Sequence, residues 1–130
     1  MQDCVRVGLR QYQAAHQQES AARVRLWMVA HPDKAGEYRR SAYARVRAAV
    51  FDHYGRTCAC CGGTDRPTID HINGDGAEHR RMLRSNDPSK VYRWLIRQGF
   101  PAGFQTLCLP CNQSKGTGTR CRIDHPGLAA

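Results

Sequence analysis

An α+β fold is what this sequence predicts, on three observations. Stretches rich in helix formers run from about Gln11 to Tyr54. Two short extended runs, 67–72 and 104–107, carry the β-branched and aromatic residues of strands. Each run lies beside a Cys-x-x-Cys pair: Cys58 and Cys61 before the first, Cys108 and Cys111 after the second. Four thiols in two such pairs form the closed tetrahedral set of a structural zinc site. The expected molecule is a small zinc-bound domain with a helical N-terminal arm. Its divisions are 1–31 for the arm, 32–116 for the zinc-bound domain and 117–130 for an irregular tail.

Each element has its own warrant. Residues 1–10 carry no strong pattern and are expected to fray. From Gln11 to Ala30 the helix formers dominate, although the apolar positions are only loosely periodic. His31-Pro32-Asp33 breaks that helix and starts another, with proline in the first turn and Asp33 at the positive end of the dipole. Over residues 32–54, Tyr38, Ala42, Val46, Ala49, Val50 and His53 mark one stripe, and Gly55 is a stop. Residues 56–66 form the first cysteine knuckle. Asn73-Gly74-Asp75-Gly76 is a turn. Residues 77–84 are polar and basic, a loop or a helical turn. Ser85-Asn86-Asp87-Pro88 opens a helix whose buried face is Val91, Trp94, Leu95 and Gln98, ended by Gly99. After a loop and the second extended run, Asn112 to Lys115 begins a short helix stopped by Gly116.

The two cysteine pairs are separated by residues 62–107, 46 residues in all. That exceeds the usual ribbon spacing of about 15–20. Loop closure grows only slowly in cost with length, so the site is allowed and the gap must hold folded structure. Gly62 frees the backbone for the first turn. Cys4, Cys60 and Cys121 are left over, with Cys60 read as a bystander.

Charge narrows the partner. Lys plus Arg total 20 against 11 acidic residues, a formal net charge of +9. A small basic protein meets a polyanion, and nucleic acid is the default. No long apolar run anchors it in a membrane. No apolar leader opens the chain, which points to the cytoplasm, where thiols stay reduced. Arg80, Arg81 and Arg84 follow the glycine turn and are the first candidates for phosphate contact. Arg39, Arg40, Arg45 and Arg47 form either a solvated helix face or a DNA-backbone contact. Tyr92, Trp94, Phe100 and Phe104 read as core aromatics more readily than as base-stacking platforms.

Between the knuckles lies Ile69-Asp70-His71-Ile72-Asn73-Gly74-Asp75-Gly76. Asp70 and Asn112 offer hard oxygen ligands suited to Mg²⁺ or Mn²⁺. His71 titrates near neutrality and can take a proton from water. Neighbouring strand residues point to opposite faces, which suits an attacking water and a leaving-group metal on opposite sides of phosphorus.

As a set, Cys58-x-x-Cys61, Asp70-His71, Cys108-x-x-Cys111-Asn112 and Lys115-Gly116 resemble HNH endonucleases of the ββα-metal (His-Me finger) type. The resemblance covers roughly residues 32–116 and is nearest to zinc-stapled phage nucleases and recombination endonucleases. It implies a ββα-metal core and a nuclease hydrolysing DNA, by nicking or double-strand cleavage. His71 would be general base, Asp70 and Asn112 ligands of the catalytic Mg²⁺ or Mn²⁺, and Cys58, Cys61, Cys108 and Cys111 ligands of the structural zinc. It also implies a phage or prophage gene, hence a bacterial cytoplasm. Lys115 joins the three arginines as a DNA contact. The supporting Asn of this family could be Asn73 or Asn86. His79 reads as a solvated loop histidine, with a ligand or phosphate role as the alternative, and His53 as packing or dipole complementation at the helix end. His16, His31 and His125 receive no role. The N-terminal helices could pair two copies. The rival reading is a non-catalytic zinc-bound module that only binds nucleic acid.

Overall fold

The computed structural model of the chain describes residues 2–125, with side chains from Gly8 onward. Five helices and two strands follow one another among them. The first two helices are α1 (Gln2–Ala30) and α2 (Pro32–Tyr54). Then come β1 (Pro67–His71), α3 (Gly76–Leu83), α4 (Pro88–Arg97), β2 (Phe104–Cys108) and α5 (Leu109–Lys115). The fold is α+β, mostly helical, with one two-stranded sheet. Compactness divides the chain into Met1–Ala42 and Tyr43–Ala130, so the two units meet within α2. The sequence-based boundary at residue 31 marks the break between helices.

In the first unit, α1 begins at Gln2, not near Gln11. Its sequence has no proline, so nothing interrupts the backbone ladder even where apolar periodicity is weak. That weak periodicity has a plain correlate. Leu9, Tyr12, Val24, Leu26, Trp27 and Val29 are all exposed, so no single face is selected for burial. His31 caps the helix end by placing Nδ1 3.0 Å from the Trp27 carbonyl, its ring stacked on the Trp27 indole.

The second unit has two adjoining cores. Val50 and Phe51 of α2 pack with Tyr92 and Leu95 of α4, all buried, and with half-buried Val46, Ile69, Trp94, Phe100 and Phe104 around them. The aromatics are core, and the stripe read from α2 is half right. Val46 and Val50 face inward while Tyr38 is exposed. Arg47 does not stand on a solvated face. It donates to the Pro67 carbonyl at 3.0 Å, and its guanidinium lies 4.5 Å over the Phe51 ring, fixing the start of β1 to α2. His53 stacks on Phe100. The second core is Leu107 with Cys58, Cys108 and Cys111.

β1 and β2 pair antiparallel, Pro67 opposite Cys108, Asp70 opposite Gln105 and His71 opposite Phe104. The pleat therefore splits β1. His71 meets Phe104, while Thr68 and Asp70 meet α5. Residues 76–83, left open between loop and turn, form α3. Gly74 adopts a left-handed φ of +75°, and a side chain there would collide with the backbone of Thr117 and Gly118. The glycine turn is thus pressed against the segment that follows α5.

Candidate functional site

The cysteine knuckles converge at the end of the sheet. Gly62, at a φ of +72°, closes the first knuckle with its N–H on the Cys58 carbonyl at 2.9 Å. The Ala59 N–H bonds the Thr106 carbonyl at 2.8 Å, tying the knuckle to β2. β2 ends at Cys108, which stands at the N-terminus of α5, so Cys108 and Cys111 sit one helical turn apart. The sulfurs of Cys58, Cys61, Cys108 and Cys111 all lie within 4.8 Å of one another. The Cys61 and Cys108 sulfurs are 3.7 Å apart. Bonds of about 2.3 Å to a tetrahedral zinc require an edge of about 3.8 Å. The group can hold a metal ion such as zinc. Burial opposes ionisation of Cys58, but the backbone N–H groups of Cys61, Cys108 and Cys60 outweigh it and bring the thiol down to about 6, whereas burial holds the Cys108 and Cys111 thiols above their usual range. A thiolate is the form a metal needs.

Beyond this centre a cavity of about 260 Å³ brings Asp70, His71, Asn112, Arg80 and Asn86 together. Its lining includes residues from both faces of β1, so it runs along the strand edge that β2 leaves unpaired. This is how Asp70 and His71, on opposite faces, reach one space. Both asparagines are exposed, and of the two Asn86 lines the cavity while Asn73 lies in the turn.

Asp70 is buried and already has partners. The Lys115 ammonium lies 2.9 Å from each carboxylate oxygen, and the Gln105 amide donates at 2.8 Å from across the sheet. Lys115 also donates to the His71 carbonyl at 2.6 Å. Its side chain is 1 % exposed. Lys115 is therefore not a surface contact for DNA. The Lys-Gly end of a short helix looks solvated in sequence, but α5 packs across the sheet and turns that lysine inward as the counter-ion of Asp70. Asn112 donates to the Thr68 hydroxyl at 2.7 Å, which orients its amide on the same edge.

His71 is half-buried, with Nε2 2.8 Å from Nδ1 of His79. A Cβ built at Gly76 would stand 3.0 Å from His71 Nδ1, so the start of α3 packs against that side of the ring as only glycine allows. Burial first, and then His79, hold the His71 imidazole below its usual range. Burial does the same to His79. His79 is not a solvated loop residue. It sits on α3, buried against Trp94 with ring centroids 4.3 Å apart, and its Nε2 is buried with no hydrogen-bond partner among the described residues. Only a firm prediction of α3 would have shown that His79 faces inward, and the polar run 77–84 gives none.

Arg80, Arg81 and Arg84 are exposed and line one shallow depression with Ser85 and Asn86, continuous with the cavity through Arg80 and Asn86. Sequence reasoning also missed a second thiol group. Cys60, Cys121 and His125 gather with Cys111, their ligand atoms within 4.8 Å of one another. No helix among the described residues is long and apolar enough to cross a membrane. No known family model, characterised protein or solved structure matches the chain.

Proposed function

We propose that the cavity is the active site of a metal-dependent DNA endonuclease of the HNH (ββα-metal) kind, built on a structural zinc centre. The observation that carries this reading is the meeting of Asp70, His71, Asn112 and Arg80 in one cavity that opens onto an arginine-lined depression. His71 is the base. Its Nε2 is engaged by His79, which fixes the ring, and Nδ1 is the nitrogen left to accept a proton from water. The lowered pKa keeps that nitrogen unprotonated at neutral pH. Arg80, Arg81 and Arg84 hold the phosphate backbone, since each exposed guanidinium can displace a counterion.

The oxygen donors of Asp70 and Asn112 match Mg²⁺ or Mn²⁺ in kind. When bound there, such an ion would stabilise the charge developing on phosphate oxygens. Lys115 is a competing cation on the same carboxylate, so a divalent ion would share Asp70 with the ammonium or displace it. That ion pair favours a second reading, a zinc-bound module that binds nucleic acid without cutting it, with Asp70 serving only to bury Lys115. Incubating supercoiled plasmid with wild type and His71→Ala, with and without Mg²⁺, separates the two. A nuclease relaxes or linearises plasmid only with Mg²⁺ and only with His71. A binding module shifts the DNA in both proteins and cuts it in neither.

A further inference from the structure

Every cysteine with a described side chain belongs to one of two overlapping groups, and Cys111 belongs to both. We propose that the chain holds two metal ions in a thiolate cluster. One ion sits on Cys58, Cys61, Cys108 and Cys111. The second sits on Cys60, Cys121, His125 and the same Cys111 sulfur, which bridges them.

The distances fit a second tetrahedral ion. His125 Nε2 lies 3.3 Å from the Cys111 sulfur and 3.6 Å from the Cys121 sulfur. Metal–nitrogen bonds of about 2.0–2.1 Å and metal–sulfur bonds of about 2.3 Å require a nitrogen–sulfur edge of about 3.6 Å. Cys111 is fully buried, and Cys60, Cys121 and His125 are half-buried. The ligands also come from three segments that other contacts already hold together. Cys60 rides on the first knuckle, between the ligands of the first ion. Cys111 is in the first turn of α5. The following segment folds back because the Arg122 N–H donates to the Ser114 hydroxyl at 2.9 Å, and Gly74 presses on Thr117 and Gly118.

Charge supplies the reason for a second ion. Six sulfurs so close cannot all ionise without cations between them, and a thiolate, not a thiol, is the ligand. Two divalent ions against six thiolates and a neutral imidazole leave the same net charge as one zinc in a four-thiolate site. Each coordinated thiol gives its proton to solvent. The second ion would tie the segment after α5 to the first knuckle.

The proposal shares Cys111 with the four-thiolate centre, and metal counting separates their failures. Full-length protein purified with zinc and weighed by native mass spectrometry should carry two zinc ions per chain. Cys121→Ser should carry one and keep the wild-type circular dichroism spectrum. Replacement by cadmium-113 should give two resonances, split by coupling through the shared Cys111 sulfur. One zinc per wild-type chain after excess zinc, with the count unchanged in Cys121→Ser, overturns the second site and leaves the first standing. Two cadmium resonances without mutual coupling overturn the bridge. No zinc at all refutes the four-thiolate reading as well.

Discussion

At the scale of single residues, some candidates were legible from side-chain type alone. Asp70, His71 and Asn112, which line one cavity, could be picked out because few residue types accept a proton or bind a hard cation near neutrality. His79 and Lys115 could not, because their roles depend on burial, which their immediate neighbours in sequence do not reveal. The His71–His79 contact makes a pH prediction. A lowered imidazole pKa means that the neutral, proton-accepting form persists further into acid. The acid limb of the cleavage profile should therefore lie below the ordinary histidine value of about 6.5. His71→Ala should lose roughly two to four decades of rate with DNA binding intact. His79→Gln should move the acid limb up toward the ordinary value, and an unmoved limb would show that His79 does not act on His71. Stability follows the same sign. The unfolded chain binds protons to these histidines before the folded chain does, so stability falls as pH drops from about 6.5 toward the lowered folded values. Lys115 gives a second test. Lys115→Met removes the cation from a buried carboxylate and should cost about 3–5 kcal/mol in zinc-loaded protein without added Mg²⁺. Added Mg²⁺ should return part of that in a melting experiment if Asp70 is a metal ligand, and nothing if it is only the partner of Lys115.

At the scale of elements, legibility followed the strength of local signals. α2 and α4 were readable because proline and capping residues mark their starts and apolar spacing marks their buried faces. β1 and β2 were readable from β-branched runs beside the knuckles. α1 was read too short because its apolar positions mark no buried face, and α3 was left open because its N-cap residue, Asp75, lies inside the glycine turn and the run after it is polar. The cap of α4 is Asp87. Its carboxylate accepts from the Ser89 N–H at 2.8 Å and the Ser89 hydroxyl at 2.7 Å, with Pro88 in the first turn. Those two bonds hold the Asp87 carboxyl below its usual range. Asp87→Ala should cost about 1 kcal/mol by denaturant unfolding. Its contribution should be present above the ordinary carboxylate value of about 3.9 and fade as pH falls from there toward the lowered folded value. Because α4 carries Tyr92 and Leu95 into the core and Trp94 against His79, that loss should reach the cavity as weaker activity at raised temperature before the melt itself.

At the scale of the whole molecule, two quantities set behaviour: positive charge and a small core. The net charge of +9 was legible by counting, but the place where DNA would meet it was not. Of the four basic residues first chosen, three share a depression and one is buried. Replacing Arg80, Arg81 and Arg84 together by Ala should lower the slope of log affinity against log salt by up to about three, with little change in stability, because all three are exposed. An unchanged slope would move the contact to the arginines of α2. The core argument is about sufficiency. Among the described residues, the apolar centre of the second unit buries only Val50, Phe51, Tyr92 and Leu95, and the other buried centre is made largely of cysteines. A thiol cluster without metal is a poor core, since its sulfurs give weak hydrogen bonds and repel once ionised. Metal binding by these cysteines would thus be folding free energy for this unit. Cys108→Ser should remove a ligand where β2 ends and α5 begins, loosening both at once. The expected result is a loss on the order of several kcal/mol, or a chain that no longer folds cooperatively, and strong chelators should do the same to the wild type. A wild-type melt that stays cooperative at an unchanged midpoint in excess chelator, with the metal shown to have left, would mean that the apolar centre suffices and the cysteines are not a staple.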